Sequence, residues 1–315
     1  MLKAYQTLTC TLFLLPAIAL AENALLTGKA DEALAALRTR LQIDPADAEA
    51  HNLMCRVYYQ LERWDDSVHA CERAVNLQPR NSEYHQWLGR AYGRRVEASG
   101  PVGALFMVRK VKAEFERAAA LNADSLSARA DLAEFYMEAP FFMGGDKTKA
   151  RQLADYVAQR DPAQGQFMLA QIDEKKNKPK AETEFKSAVR ASGGRADYWF
   201  ELASFYRRSG RPEEMQLAVD KASDLSSKDP IVLFFCARLL LNAGRNYPGA
   251  VQMLRSYLSS GNFGEDGPAF QAHYILGSLL ERQGDTRSAA AEFRSALALA
   301  SLYKPARDAL AHVSR

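Results

Sequence analysis

Four side chains within one short stretch carry the ligand atoms that zinc prefers: His51, Cys55, His69 and Cys71. Two imidazoles and two thiolates would close a tetrahedral structural site if they converged. Positions 69 and 71, however, point about 200° apart on a helix, so the set cannot meet around one ion. The cysteines then keep two readings. In an oxidising compartment they could join across a helical hairpin, closing a loop of about 16 residues; otherwise both are small buried side chains.

Few other residues fall in a pattern that chemistry requires. There is no HExxH, no GxSxG, no phosphate-cradling loop and no dinucleotide fingerprint. Lys147-Thr148 follows Gly144-Gly145 too closely to form a phosphate loop, and Asp146 reads as the N-cap of a helix carrying Ala150. The basic run from Lys175 to Lys180 reads as a solvated turn. His51, His85 and His273 recur at one repeat position, which makes them framework residues rather than bases. The expectation is no metal, no cofactor and no catalytic group; an enzyme would have to assemble its site from dispersed residues.

The elements that position these residues are helical. Five isoleucines against about fifty alanines favour helices over sheets. A net charge of +3 does not point to nucleic acid. Residues 1–21 read as a secretion signal, with Lys3 as the positive end, an apolar run from Leu12 to Leu20 interrupted by Pro16, and Ala19-Leu20-Ala21 as the cleavage pattern. That run is too short to span a bilayer, and no later segment is apolar enough. The expected location is outside the cytoplasm, in a periplasm or the medium.

Beyond Glu22 the chain repeats. Ile43-Asp44-Pro45 and Leu77-Gln78-Pro79 place their prolines 34 residues apart. Between them Met54, Cys55 and Tyr58 form one helical stripe, and Val68, Cys71, Ala74 and Val75 form another. Leu88, Gly89, Tyr92, Phe115 and Ala118 repeat the pattern, as do Leu276, Gly277, Gly284, Ala289, Phe293 and Ala296. On these residues the sequence resembles the tetratricopeptide repeat family. The resemblance implies an all-α chain, an α-solenoid of about eight helical hairpins over 22–301, continuous rather than divided into domains, with a capping helix over 302–315.

Two insertions break the period, near 93–110 and 139–146, each read as a lengthened turn inside a hairpin. They carry Leu105, Phe106 and Met107, then Phe141, Phe142 and Met143. Neighbouring turns share one edge of a solenoid, so these residues either pack on each other or form an exposed ridge for a partner or a membrane surface.

In the family, first helices line a concave groove that takes peptides. The resemblance therefore assigns to the groove Asn52, Arg56, Gln60, Gln86, Arg90, Arg94, Phe200, Arg207, Arg208, Phe234, Arg238, Asn242, Tyr274 and Arg282. The recurring arginines would suit carboxylates of an acidic protein or peptide, unless they pair with groove acids such as Glu49, Glu83 and Glu134. The expected function is a non-catalytic protein-binding scaffold or assembly factor. The alternatives are a structural subunit of an envelope complex or homo-oligomer that uses the apolar insertions, and, more remotely, an enzyme.

Overall fold

The computed structural model describes residues 17–98 and 101–314, with residues 101–106 described by their backbone alone. No strand occurs among the described residues, and the chain is all-α. The first two helices are α1 (17–26) and α2 (Ala30–Ile43). There follow α3 (Ala48–Gln60), α4 (Trp64–Leu77), α5 (Ser82–Glu97), α6 (Pro101–Leu121), α7 (Leu126–Glu138), α8 (Lys147–Ala158), α9 (Pro162–Glu174) and α10 (Lys178–Ala191). The remainder are α11 (Ala196–Arg208), α12 (Pro212–Asp224), α13 (Ile231–Ala243), α14 (Tyr247–Ser260), α15 (Ala269–Arg282), α16 (Thr286–Leu299) and α17 (Lys304–Val313). The pairs α3–α4, α5–α6, α7–α8, α9–α10, α11–α12 and α15–α16 pack as hairpins of the α-solenoid class, and α17 packs on the last of them.

Local chemistry sets the helix starts. Asp47, Asn81, Ser125, Asp146, Asp161, Asn177 and Asp285 each accept first-turn amides that have no partner within the helix. Inside a hairpin the absence of a side chain permits close approach. A Cβ on Gly89 would lie 2.6 Å from the Phe115 ring, and one on Gly277 would lie 2.5 Å from Phe293. Both pairs occupy the same repeat position, so a second-helix aromatic packs directly against a first-helix glycine.

The hairpins divide between two compact units. One is built from both ends of the chain, up to Arg80 and from Leu254 onward; the other is Asn81–Met253. In the first unit, Leu25, Leu34, Leu37, Leu53, Val57 and Leu61 share a single core with Phe270, Ala296, Ala300, Tyr303 and Ala306. The Tyr303 ring meets Phe270 edge-on at 5.0 Å. Polar contacts follow the same seam. Gln271 Nε2 donates to the Gln60 carbonyl at 2.8 Å, Gln60 Nε2 to the Glu265 carbonyl at 3.0 Å, and the Ser301 amide to Asp31 at 2.9 Å. Arg56 forms a two-pronged ion pair with Glu265. The terminal helix α17 therefore inserts Ala306 into a core that includes the first hairpins.

Of the segment expected as a secretion signal, residues 1–16 lie outside the described residues. Residues 17–26 are helical, and Ala21 is fully buried in the shared core.

Of the segment expected as a long turn over 93–110, residues 93–97 and 101–110 are instead helical, and residues 99–100 lie outside the described residues. The segment extends α5 to Glu97 and opens α6 at Pro101, because Pro101 suits a first helical turn and Ala104 to Val108 continue as an apolar helical run. The side chains of Leu105 and Phe106 lie outside the described residues.

Cys55 and Cys71 are joined by a disulfide between α3 and α4, with Cα atoms 5.2 Å apart. Both are fully buried, and Ser67 Oγ donates to the Cys55 carbonyl at 3.0 Å. Cross-linking this short loop restricts the unfolded chain, so replacing both cysteines with alanine should lower stability by about 3 kcal/mol. Urea unfolding of the native and doubly substituted chains measures the difference. Cys236, in the other unit, is a buried free thiol that burial pushes up to about 12, and it is inert on that account.

Candidate functional site

In the unit Asn81–Met253 the first helices α5, α7, α9, α11 and α13 adjoin in a row. Of the arginines expected to be available on this row, Arg90 and Arg208 are engaged across it and Arg94 and Arg238 within their own helices. Arg90 Nε donates to Asp131 on α7 at 2.7 Å, with its guanidinium 4.9 Å from the Trp87 ring. Arg208 grips Glu174 on α9 through two bonds of 2.7 and 2.9 Å. Arg94 bonds Glu97 one turn along its own helix at 2.5 Å. Arg238 lies 5.3 Å from the rings of both Phe234 and Phe235. Arg90 and Arg208 thus stitch neighbouring hairpins together, as Arg56 does with Glu265 in the other unit.

Four residues assigned to an open groove are buried: Asn52, Gln60, Gln86 and Phe234. Neighbouring helices close over them. Gln86 donates to Ser127 Oγ at 2.6 Å and to Asp131 at 2.8 Å, while Gln60 bonds the backbone at Glu265. Tyr274 is half-buried against Phe293 and Tyr303. Arg207, Asn242 and Arg282 are exposed, and Phe200 stacks on Phe235 with ring centroids 5.4 Å apart.

The histidines are framework residues. His85 Nδ1 lies 2.5 Å from Glu114, His273 Nδ1 lies 2.7 Å from Glu292, and His51 Nε2 lies 3.1 Å from the Pro45 carbonyl. No group of three or more metal-ligating side chains occurs among the described residues.

Between α7 and α9 lies a cleft of about 250 Å³, lined by Asp131, Glu134, Met137, Gln164, Phe167, Met168, Gln171 and Ile172 with two alanines. Phe167 meets Tyr198 of α11 edge-on at 6.3 Å, and the Tyr198 hydroxyl donates to Gln164 at 3.3 Å. Burial raises the Glu134 carboxyl above the ordinary range, with Asp131 and Glu138 adding to the shift. On α11, burial pushes Glu201 up to about 7; Arg208 opposes this, while Asp197, Glu134 and Glu174 reinforce it. Neither Glu134 nor Glu201 forms an ion pair among the described residues. Arg90 acts on Glu134, and Arg208 on Glu201, only from beyond ion-pair distance.

Phe167 and Glu201 belong to no motif in the sequence, and Glu134 reads there only as an arginine partner, though the repeat register holds the signal. Glu134 stands where Arg90 and Arg238 stand in their hairpins, one residue after the small residue of the first helix, and Phe167 stands where Phe200 and Phe234 stand. The hairpins carrying Glu134 and Phe167 depart from the regular length, which obscures that register.

Family models described as tetratricopeptide repeat match residues 24–91 and 237–303. No curated protein matches the chain significantly. Among solved structures, the chain is similar to an O-GlcNAc transferase mutant of Thermobaculum terrenum, with 23% identity and a TM-score of 0.41 over 48% of this chain. That alignment spans 27% of the transferase chain. It is also similar to a thermophilic tetratricopeptide protein of Thermus thermophilus, with 18% identity and a TM-score of 0.46 over 72% of this chain and 98% of that one. A tetratricopeptide repeat protein from Parabacteroides merdae aligns at 13% identity and a TM-score of 0.43, over 85% of this chain and 99% of that one. The helical hairpins and the two family matches lead to one conclusion: the chain carries tetratricopeptide repeats, in residues 24–91 and again in 237–303.

Proposed function

We propose that the protein is a non-catalytic binding scaffold that works outside the cytoplasm and takes a peptide or protein segment at the cleft between α7 and α9. The observation that carries this reading is the pair of carboxyl groups without an ion-pair partner among the described residues, Glu134 in the cleft and Glu201 near it, beside the edge-on rings of Phe167 and Tyr198. An acidic partner would have to displace Asp131 from Arg90 and Glu174 from Arg208. A partner carrying lysine or arginine needs no such exchange, and its charge would relieve the crowding of Glu134 and Glu201. The preferred partner is therefore a cationic segment with an apolar neighbour for Phe167, not an acidic one.

The location outside the cytoplasm rests on the pattern of residues 1–21 and on the Cys55–Cys71 bond, since disulfides persist mainly in oxidising compartments.

Paired carboxylates with raised pKa values are also equipment for acid–base chemistry. Here, however, no thiol, imidazole or amine side chain lines the cleft, and the Tyr198 hydroxyl beside it is spent on Gln164 at 3.3 Å, which favours binding over turnover.

Panning a displayed random peptide library against the intact chain tests the reading. Enrichment of lysine- or arginine-bearing sequences, with capture reduced at least about ten-fold by Glu134→Lys with Glu201→Lys, is expected. Enrichment of acidic sequences would overturn the cationic preference.

A further inference from the structure

The turn between α7 and α8 exposes two aromatic rings to water. Phe141 is 89% exposed and Phe142 is 76% exposed, more than any other large apolar side chain among the described residues. Packing of the two insertions on each other would have hidden them.

The display is built by the backbone. Phe141–Met143 form a single 3₁₀ turn. The amides of Met143 and Gly145 both donate to the Pro140 carbonyl, at 2.9 and 3.1 Å, and the Asp146 amide reaches back to Tyr136 at 2.8 Å. The Asp146 carboxylate then caps α8 through the amides of Thr148 and Lys149, at 3.0 and 3.1 Å. Gly145 has to be glycine, because a Cβ there would lie 1.8 Å from the Ala139 carbonyl oxygen. The rings are thus held outward by a closed hydrogen-bonded turn.

Cations surround the base of this turn. The Lys112 chain lies over Gly144, and the ammonium groups of Lys112 and Lys149 stand 5.9 and 5.4 Å from the Tyr136 ring. Lys147 opens α8, and Arg109 precedes Lys112 by one turn of α6 on the same helical row. The acids close to the turn are already occupied. Glu116 accepts from the Tyr136 hydroxyl at 2.7 Å and pairs with Lys112 at 3.7 Å, while Asp146 serves as the cap. Glu138, at the end of α7, is held by Lys175 at 2.7 Å.

We propose that the 139–146 turn docks the protein on an anionic phospholipid surface, with Phe141 and Phe142 entering the headgroup boundary and Arg109, Lys112, Lys147 and Lys149 facing lipid phosphates. A narrow apolar tip ringed by positive charge fits the layered chemistry of such a surface, apolar within and anionic without. A protein partner would ordinarily require a broad apolar patch, and two rings on a single turn do not provide one. The contact is peripheral, since no helix among the described residues is long and apolar enough to cross a membrane. The proposal is independent of peptide binding at the α7–α9 cleft.

Flotation of the intact chain with vesicles of phosphatidylglycerol mixed with phosphatidylcholine, and with vesicles of phosphatidylcholine alone, tests it. The expected result is flotation with the anionic vesicles, weakened by added salt. Each ring replaced, as in F141S and F142S, should lower partitioning about ten-fold, and K147E with K149E should lower it further. Because both rings are exposed, the F141S/F142S chain should keep the native circular dichroism and melting temperature, so a loss of flotation would report on docking. No flotation with either vesicle, equal flotation with both, or flotation indifferent to F141S/F142S would each overturn the proposal.

Discussion

Replacing Phe270 with alanine is expected to lower the stability of the chain by about 3–5 kcal/mol, the usual result of emptying a fully buried aromatic site. Phe270 is 0% exposed and lies in one core with Leu25, Leu34 and Leu53 from the opposite end of the sequence. It also backs the edge-on ring of Tyr303 at 5.0 Å. The damage should therefore not stay in α15. Hydrogen exchange should quicken together in α1–α4 and α15–α17, because the two ends of the chain make one unit. Quickening limited to α15 and α16 would show that the shared core does not act as a unit. Urea unfolding gives the magnitude, and exchange gives the distribution.

The second large effect concerns Glu201, whose carboxyl burial pushes up to about 7 from an ordinary value of 4.5. Between these two values the folded chain holds a proton that the unfolded chain releases. Stability from this group is thus fully present below pH 4.5 and is lost as the pH rises through 7. Above that range an ionised carboxylate sits half-buried among Asp197, Glu134 and Glu174 with only Arg208 opposing. Glu201→Gln should consequently be almost neutral at acid pH and stabilising by roughly 2–3 kcal/mol at pH 8. Paired urea titrations at a series of pH values measure the difference. A difference that shrinks as the pH rises would reverse the sign and remove the argument.

The repeating part of the fold was legible in the residues themselves. Pro45 and Pro79 fixed the period, and Gly89 and Gly277 marked where a second helix must come close, as Phe115 and Phe293 then do. His85 and His273 share a repeat position, and each bonds a carboxylate of its own hairpin. The seam between the chain ends was not legible. Leu25 and Phe270 obey the same local rule as every other inward apolar residue, and nothing in a local period says which distant hairpin will cover them. The turn over 93–110 failed for a related reason, because a run of helix formers after Pro101 reads as an insertion when only the repeat length is counted.

The site was legible only in outline. Helical phase placed Arg90 and Arg208 on the first-helix row, but phase does not tell whether a guanidinium faces water or reaches an acid on the next hairpin. Asp131 and Glu174 decide that at 2.7 Å in both cases. The same pairing changes the charge that the face offers, from the positive row expected to the carboxylates of Glu134 and Glu201. Phe141 and Phe142 show the converse case, in which apolar residues that the sequence left either covered or exposed are held in water by the turn that carries them.

Calorimetric titration of the intact chain with a lysine- or arginine-bearing peptide from the panning, run at pH 7 in two buffers of different ionisation enthalpy, tests the central claim most directly. A cation seated beside Glu201 lowers its pKa from about 7, so complex formation should release a fraction of a proton and affinity should fall as the pH drops. With Glu201→Gln, proton release should vanish. Binding without proton release, or release that persists in Glu201→Gln, would contradict a cation-binding cleft between α7 and α9.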